Sequence, residues 1–125
     1  MENIKELVRK HDHGKKAPYA EVTRAAINYI HSVKCYGWGD EEHVVYGVQD
    51  VKWVKVTVMV NNRTDTVWSF RTIKDMSGKI GYRVNSWRNQ FDRQVSKEDG
   101  NIAFLMIMEK AKEVKGAKVI VETII

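Results

Sequence analysis

Apolar residues along this chain change their spacing twice. Near the N-terminus, Ile4, Leu7, Val8 and His11 recur at helical intervals, which predicts a short amphipathic helix from Glu2 to about Asp12. Gly14-Lys15-Lys16-Ala17-Pro18 interrupts it. Pro18 suits the first turn of a second helix, where its missing N–H leaves no bond unmade. Val22, Ala25, Ala26, Tyr29, Ile30 and Val33 give that helix an apolar stripe to about Lys34, and Gly37-Trp38-Gly39-Asp40 ends it.

The period then shortens to two. His43 to Val48 is a β-branched run, and Val51 to Val60 alternates, with Val54, Val56, Val58 and Val60 on one face. Trp53, Lys55, Thr57 and Met59 occupy the other. Asn61 to Asp65 reads as a hairpin loop, since Asn tolerates positive φ. A return strand is expected from about Thr66 to Ile73. After a turn at Asp75-Met76-Ser77-Gly78, another strand runs from Lys79 to about Ser86.

Helical spacing returns at the C-terminal end. Ser96 with Asp99 resembles a capping box, and Ile102 to Val114 is expected to be helical, with Gly116 as its C-cap. Lys118 to Ile125 reads as a closing strand. The whole is a single α+β domain over 1–125, in the order α-α-β-β-β-β-α-β. It implies a largely antiparallel sheet of about five strands with three helices packed on one face.

Composition narrows the function classes. The 125 residues carry a net charge of +5, with 43% apolar and 30% charged residues, which is ordinary for one folded core. The positive balance favours anionic partners. Cys35 is the single cysteine, so neither an internal disulfide nor a cysteine-based zinc site can form, and a reducing cytoplasm is the expected compartment. The polar N-terminus is unlike a signal peptide. The longest apolar block, Ile102 to Met108, is too short to span a bilayer, so no membrane partner is expected.

The middle of the chain carries the chemistry. Between Lys52 and Arg93 stand Lys52, Lys55, Arg63, Arg71, Lys74, Lys79, Arg83, Arg88 and Arg93, against only Asp65, Asp75 and Asp92. Trp53, Trp68, Phe70, Tyr82, Trp87 and Phe91 are interleaved with them. Sheet surfaces that bind single strands use this mixture, stacking bases on aromatics and meeting phosphates with cations. The hairpin register decides which residues join Trp53 and Lys55 on the open face. One register brings Ser69 and Arg71 there, and a slip of one residue brings Trp68 and Phe70.

The run Tyr82 to Gln90 adds Arg83, Asn85, Trp87 and Arg88, whose side chains suit base edges, phosphates and ring stacking. The expected ligand-binding set is therefore Trp53, Lys55, Arg71, Tyr82, Arg83, Asn85, Trp87 and Arg88. No glycine-rich phosphate motif occurs, and no cofactor is implied. The resulting expectation is non-enzymatic binding of an anionic, base-containing ligand: single-stranded nucleic acid or a nucleotide, including a nucleotide signal. The alternative is an oligomeric protein-binding regulator or inhibitor that uses the same Trp, Tyr and Arg residues as anchors.

Other features carry less. His11-Asp12-His13 suggests a metal or a general base, but residues two apart on a helix do not face one way, and a polar helix end explains them as well. A small hydrolase built on His11, His13 or His31 is a third reading. Cys35 near His31 reads as a small half-buried residue rather than a nucleophile. Phe104, Met106, Ile107 and Met108 suit either the core, buried against the sheet, or a self-association face; the apolar strand Val119 to Ile125 tips the reading toward a homo-oligomer, because an uncovered strand of that kind invites edge pairing.

Overall fold

A computed structural model describes residues 3–14, 20–33, 49–74, 80–86 and 91–124, with backbone alone at 49–51. Among these residues, three helices and five strands follow in the expected order: α1 (Ile4–His11), α2 (Arg24–Ser32), β1 (Gln49–Val60), β2 (Arg63–Lys74), β3 (Ile80–Ser86), β4 (Phe91–Ser96), α3 (Lys97–Glu113) and β5 (Ala117–Thr123). The strands form one antiparallel sheet in the order β4-β3-β2-β1-β5. Helix α3 packs on this sheet, and α1 and α2 pack on α3 and on each other. This is the α+β architecture that the hydrophobic pattern predicts.

Local chemistry starts the helices. Asn3 Oδ1 accepts from the Glu6 backbone N–H at 2.9 Å, satisfying one orphan donor of α1. Ser96 Oγ does the same for Asp99 N at 3.0 Å, so α3 begins at Lys97, five residues before its apolar run. The Asp99 carboxylate accepts instead from the Tyr29 hydroxyl at 2.9 Å, tying α2 to the start of α3. Burial and this carboxylate push the Tyr29 hydroxyl well above the ordinary phenol range, which keeps it a donor.

One strand lies where the sequence reading placed none. The run His43 to Val48 lies outside the described residues, as do Pro18, Cys35 and the turn at 75–78. Phe91–Ser96 is a strand that alternation does not reveal, because Arg93 stands between Phe91 and Val95 on the helix-facing side. Its Nη2 donates to the carbonyl of Val33, the C-cap of α2, at 3.4 Å. A cation there meets the negative end of the helix.

The β1–β2 hairpin turns on two residues, not five. Asn61 and Asn62 both take positive φ, at 51° and 65°, which is the backbone of a tight hairpin turn matched to strand twist. Regular pairing from Val60↔Arg63 would then set Trp68 and Phe70 on the open face. A bulge at Asp65 prevents this: Met59 pairs with Thr64, but Val58 pairs with Thr66. From there Val56 opposes Trp68 and Val54 opposes Phe70, so both rings enter the core.

The same turn is pinned from the side. Asn61 N donates to Gly116 O at 3.1 Å, and Gly116 has a φ of +82° just before β5. A Cβ at 116 would overlap Asn61 Oδ1. Gly116→Ala is therefore expected to cost about 1–2 kcal/mol from the left-handed backbone and the crowding together. A thermal melt read beside the parent checks this; an unchanged midpoint would mean that the Asn61 contact gives way freely.

Candidate functional site

Pairing across the sheet gathers much of the expected binding set. On the face away from the helices, Trp53, Arg71, Arg83 and Gln94 lie opposite one another across β1, β2, β3 and β4. The next row on the same face runs Glu122, Lys55, Ser69, Asn85, Asp92 from β5 to β4. Five of the eight expected residues thus share two adjacent rows, although they come from separate stretches of sequence.

Within these rows the charges are already organised. The Arg71 guanidinium carbon sits 4.6 Å above the centre of the Trp53 ring, a cation–π contact between cross-strand neighbours. Arg83 donates to both oxygens of Asp92, through Nε at 3.0 and 3.2 Å and Nη2 at 2.7 Å. The two side chains stay 37% and 40% exposed, which limits the pair to at most about 1 kcal/mol. Trp53 is half-buried, and its indole N–H is enclosed with no acceptor among the described residues.

Tyr82 stands on the opposite side. It pairs with Thr72 and Val95, its ring packs edge-on to Phe70, and a Cβ at Gly100 would overlap it. Its hydroxyl donates to Asn101 Oδ1 at 3.1 Å. There it lines a cleft of about 260 Å³ between α3 and the sheet, with Lys52, Phe70, Phe104, Val121 and Thr123 among its walls. No sequence spacing announces this cleft, because its lining comes from four strands and a helix. Trp87 and Arg88 lie outside the described residues.

The histidine cluster at the end of α1 is dispersed. His11 Nδ1 donates to Leu7 O at 2.9 Å, and its ring meets Tyr29 edge-on. The carbonyls of His11 and His13 accept from Asn28 Nδ2 at 2.6 and 3.0 Å. His31 packs edge-on to Phe91 at the far end of α2, where burial and the charge of Arg93 push its pKa down. Asp12 is held by Arg24 and Lys110 rather than by a histidine. Among the described residues no three metal-ligating side chains converge, and no helix is long and apolar enough to cross a membrane. No family model, curated protein sequence or solved structure matches this chain.

Proposed function

We propose that the sheet face away from the helices binds an anionic, base-containing ligand, single-stranded nucleic acid or a nucleotide, without catalysing its conversion. The observation that carries this reading is the cross-strand alignment of Trp53, Arg71 and Arg83 beside Lys55, Ser69 and Asn85. An aromatic ring for stacking, cations for phosphate and an amide for base edges then lie on three neighbouring strands, within two strand spacings of each other. The exposed Arg83–Asp92 pair is weak enough for a phosphate to replace the carboxylate.

Binding of labelled single-stranded oligonucleotides and of mononucleotides, followed by anisotropy over a salt series, tests the proposal. Affinity is expected to fall with salt, with a slope of about 0.7 per phosphate contacted. Trp53→Ala is expected to weaken binding by about 1–3 kcal/mol, the worth of one stacked base. Lys55→Glu should lower affinity and reduce the salt slope together. Binding to no polyanion, or binding indifferent to salt, would overturn the reading.

One observation favours a second reading, a protein-binding regulator. Arg71 already covers one face of Trp53, and such Trp–Arg pairs are typical anchors of protein interfaces. Parallel pulldowns with oligonucleotide and with protein extract separate the two, and the Trp53→Ala variant shows whether a captured species uses this face.

A further inference from the structure

The two edges of the sheet differ in how well they resist pairing. β4 is short and has Asp92, Arg93 and Gln94 at its centre, which blunts it. β5 has Val119, Ile120 and Val121 at its centre and pairs with β1 without a bulge. Val121 and Ile124 remain 47% and 45% exposed. Leu105 on α3 is 47% exposed as well, one helical turn beyond Asn101, which shares the cleft wall with Val121 and Thr123. An apolar edge of this kind is a template for another strand.

Backbone directions show which residues are available. Ile124 N donates to Trp53 O at 2.8 Å, and Gly116 O accepts from Asn61 N, so even-numbered residues of β5 bond to β1. Ala117, Val119, Val121 and Thr123 therefore turn their N–H and C=O groups to the outer edge, where no described strand pairs with them. Side chains of Lys118, Ile120 and Glu122 lie on the face away from the helices, beside Met59, Thr57 and Lys55. The sequence is self-complementary about Ile120. In an antiparallel pairing centred there, Lys118 meets Glu122 of a second strand, Val119 meets Val121, and Ala117 meets Thr123.

We propose that β5 pairs with β5 of a second copy of this chain, about a two-fold axis at Ile120, to form one continuous ten-stranded sheet. The outward backbone groups of both strands then exchange about eight hydrogen bonds. Each Lys118 faces the partner's Glu122, and the exposed Val121 packs against the partner's Val119. Slipping the register by two residues in either direction sets Ile120 opposite Lys118 or Glu122 and loses both charge pairs. The axis is normal to the sheet, so the open faces of the two copies lie on the same side. The pairing stands independently of what that face binds.

Sedimentation equilibrium of the ligand-free full chain across the micromolar range gives the test, with a charge swap keyed to the register. The parent is expected to be dimeric. Lys118→Glu alone, or Glu122→Lys alone, creates two like-charge pairs and should weaken dimerisation about tenfold. The double swap Lys118→Glu with Glu122→Lys restores the pairs and should restore the dimer. Both side chains are exposed, and thermal melts of the variants confirm that the monomer stays folded. A monomeric parent, a dimer indifferent to the single changes, or a double swap that fails to rescue would overturn the proposal.

Discussion

Trp68→Ala is expected to remove about 3–5 kcal/mol of stability, enough to leave a domain of this size close to its unfolding threshold. Trp68 has no exposed surface and is the largest fully buried side chain described. Its ring stacks on Phe70 at 5.8 Å and meets Phe91 edge-on at 4.9 Å, so truncation opens a cavity among β2, β4 and the helices. Trp68→Phe should cost much less. It keeps most of the packing and removes an indole N–H that has no acceptor among the described residues. Urea denaturation midpoints for the two variants order these effects. Trp53→Ala provides the contrast, with a smaller expected loss of stability and, on the proposed function, a loss of ligand affinity. If Trp68→Ala melted like the parent, the bulge at Asp65 would not be setting the register, and the assignment of the two tryptophans to opposite faces would fall with it.

That pair of tryptophans also shows how far the sequence can be read. Valines at 54, 56, 58 and 60 define the buried side of β1 from alternation alone. Which residues of β2 join them depends on one extra residue in the ladder. Thr64-Asp65-Thr66 carries no pattern that distinguishes a bulge from a longer loop, and only the burial of Trp68 and Phe70 decides between the registers. Tyr82 went to the wrong company for a related reason. It lies in the strand expected from Lys79 to about Ser86, but its parity is that of Val84 rather than of Arg83 and Asn85, which points it toward α3. Arg93 hid β4 because its role, capping the end of α2, lies 60 residues away in sequence. Lys55, Arg71, Arg83 and Asn85 were legible because a period of two carries them all to one face once the register is set. The sequence shows the residue types, and the sheet supplies their adjacency.

Asp12→Ala is expected to destabilise the protein by about 2–4 kcal/mol, because it leaves two largely buried cations without their shared acceptor. Arg24 contacts Oδ1 through Nε at 2.8 Å and Nη2 at 2.7 Å, and Lys110 Nζ reaches Oδ2 at 2.8 Å. The three side chains are only 14–18% exposed. They come from the end of α1, the start of α2 and the last turn of α3, so one carboxylate joins all three helices. Burial by itself would raise the carboxyl, but the hydrogen bonds from Lys110 and Arg24 outweigh it and hold the pKa below the ordinary 3.8. Between the lowered folded value and that unfolded value, the unfolded chain binds the extra proton, so stability rises with pH there. The contribution is complete above the unfolded value and is lost as pH falls through the folded one. Asp12→Asn keeps one acceptor and the shape but has no such titration. Its deficit against the parent should be largest at neutral pH and shrink as the parent's Asp12 protonates in acid. Denaturation midpoints of parent and Asp12→Asn, compared from neutral pH down through pH 3, give the check. A deficit that stays constant into acid would show that the carboxylate's charge is not what holds the three helices together.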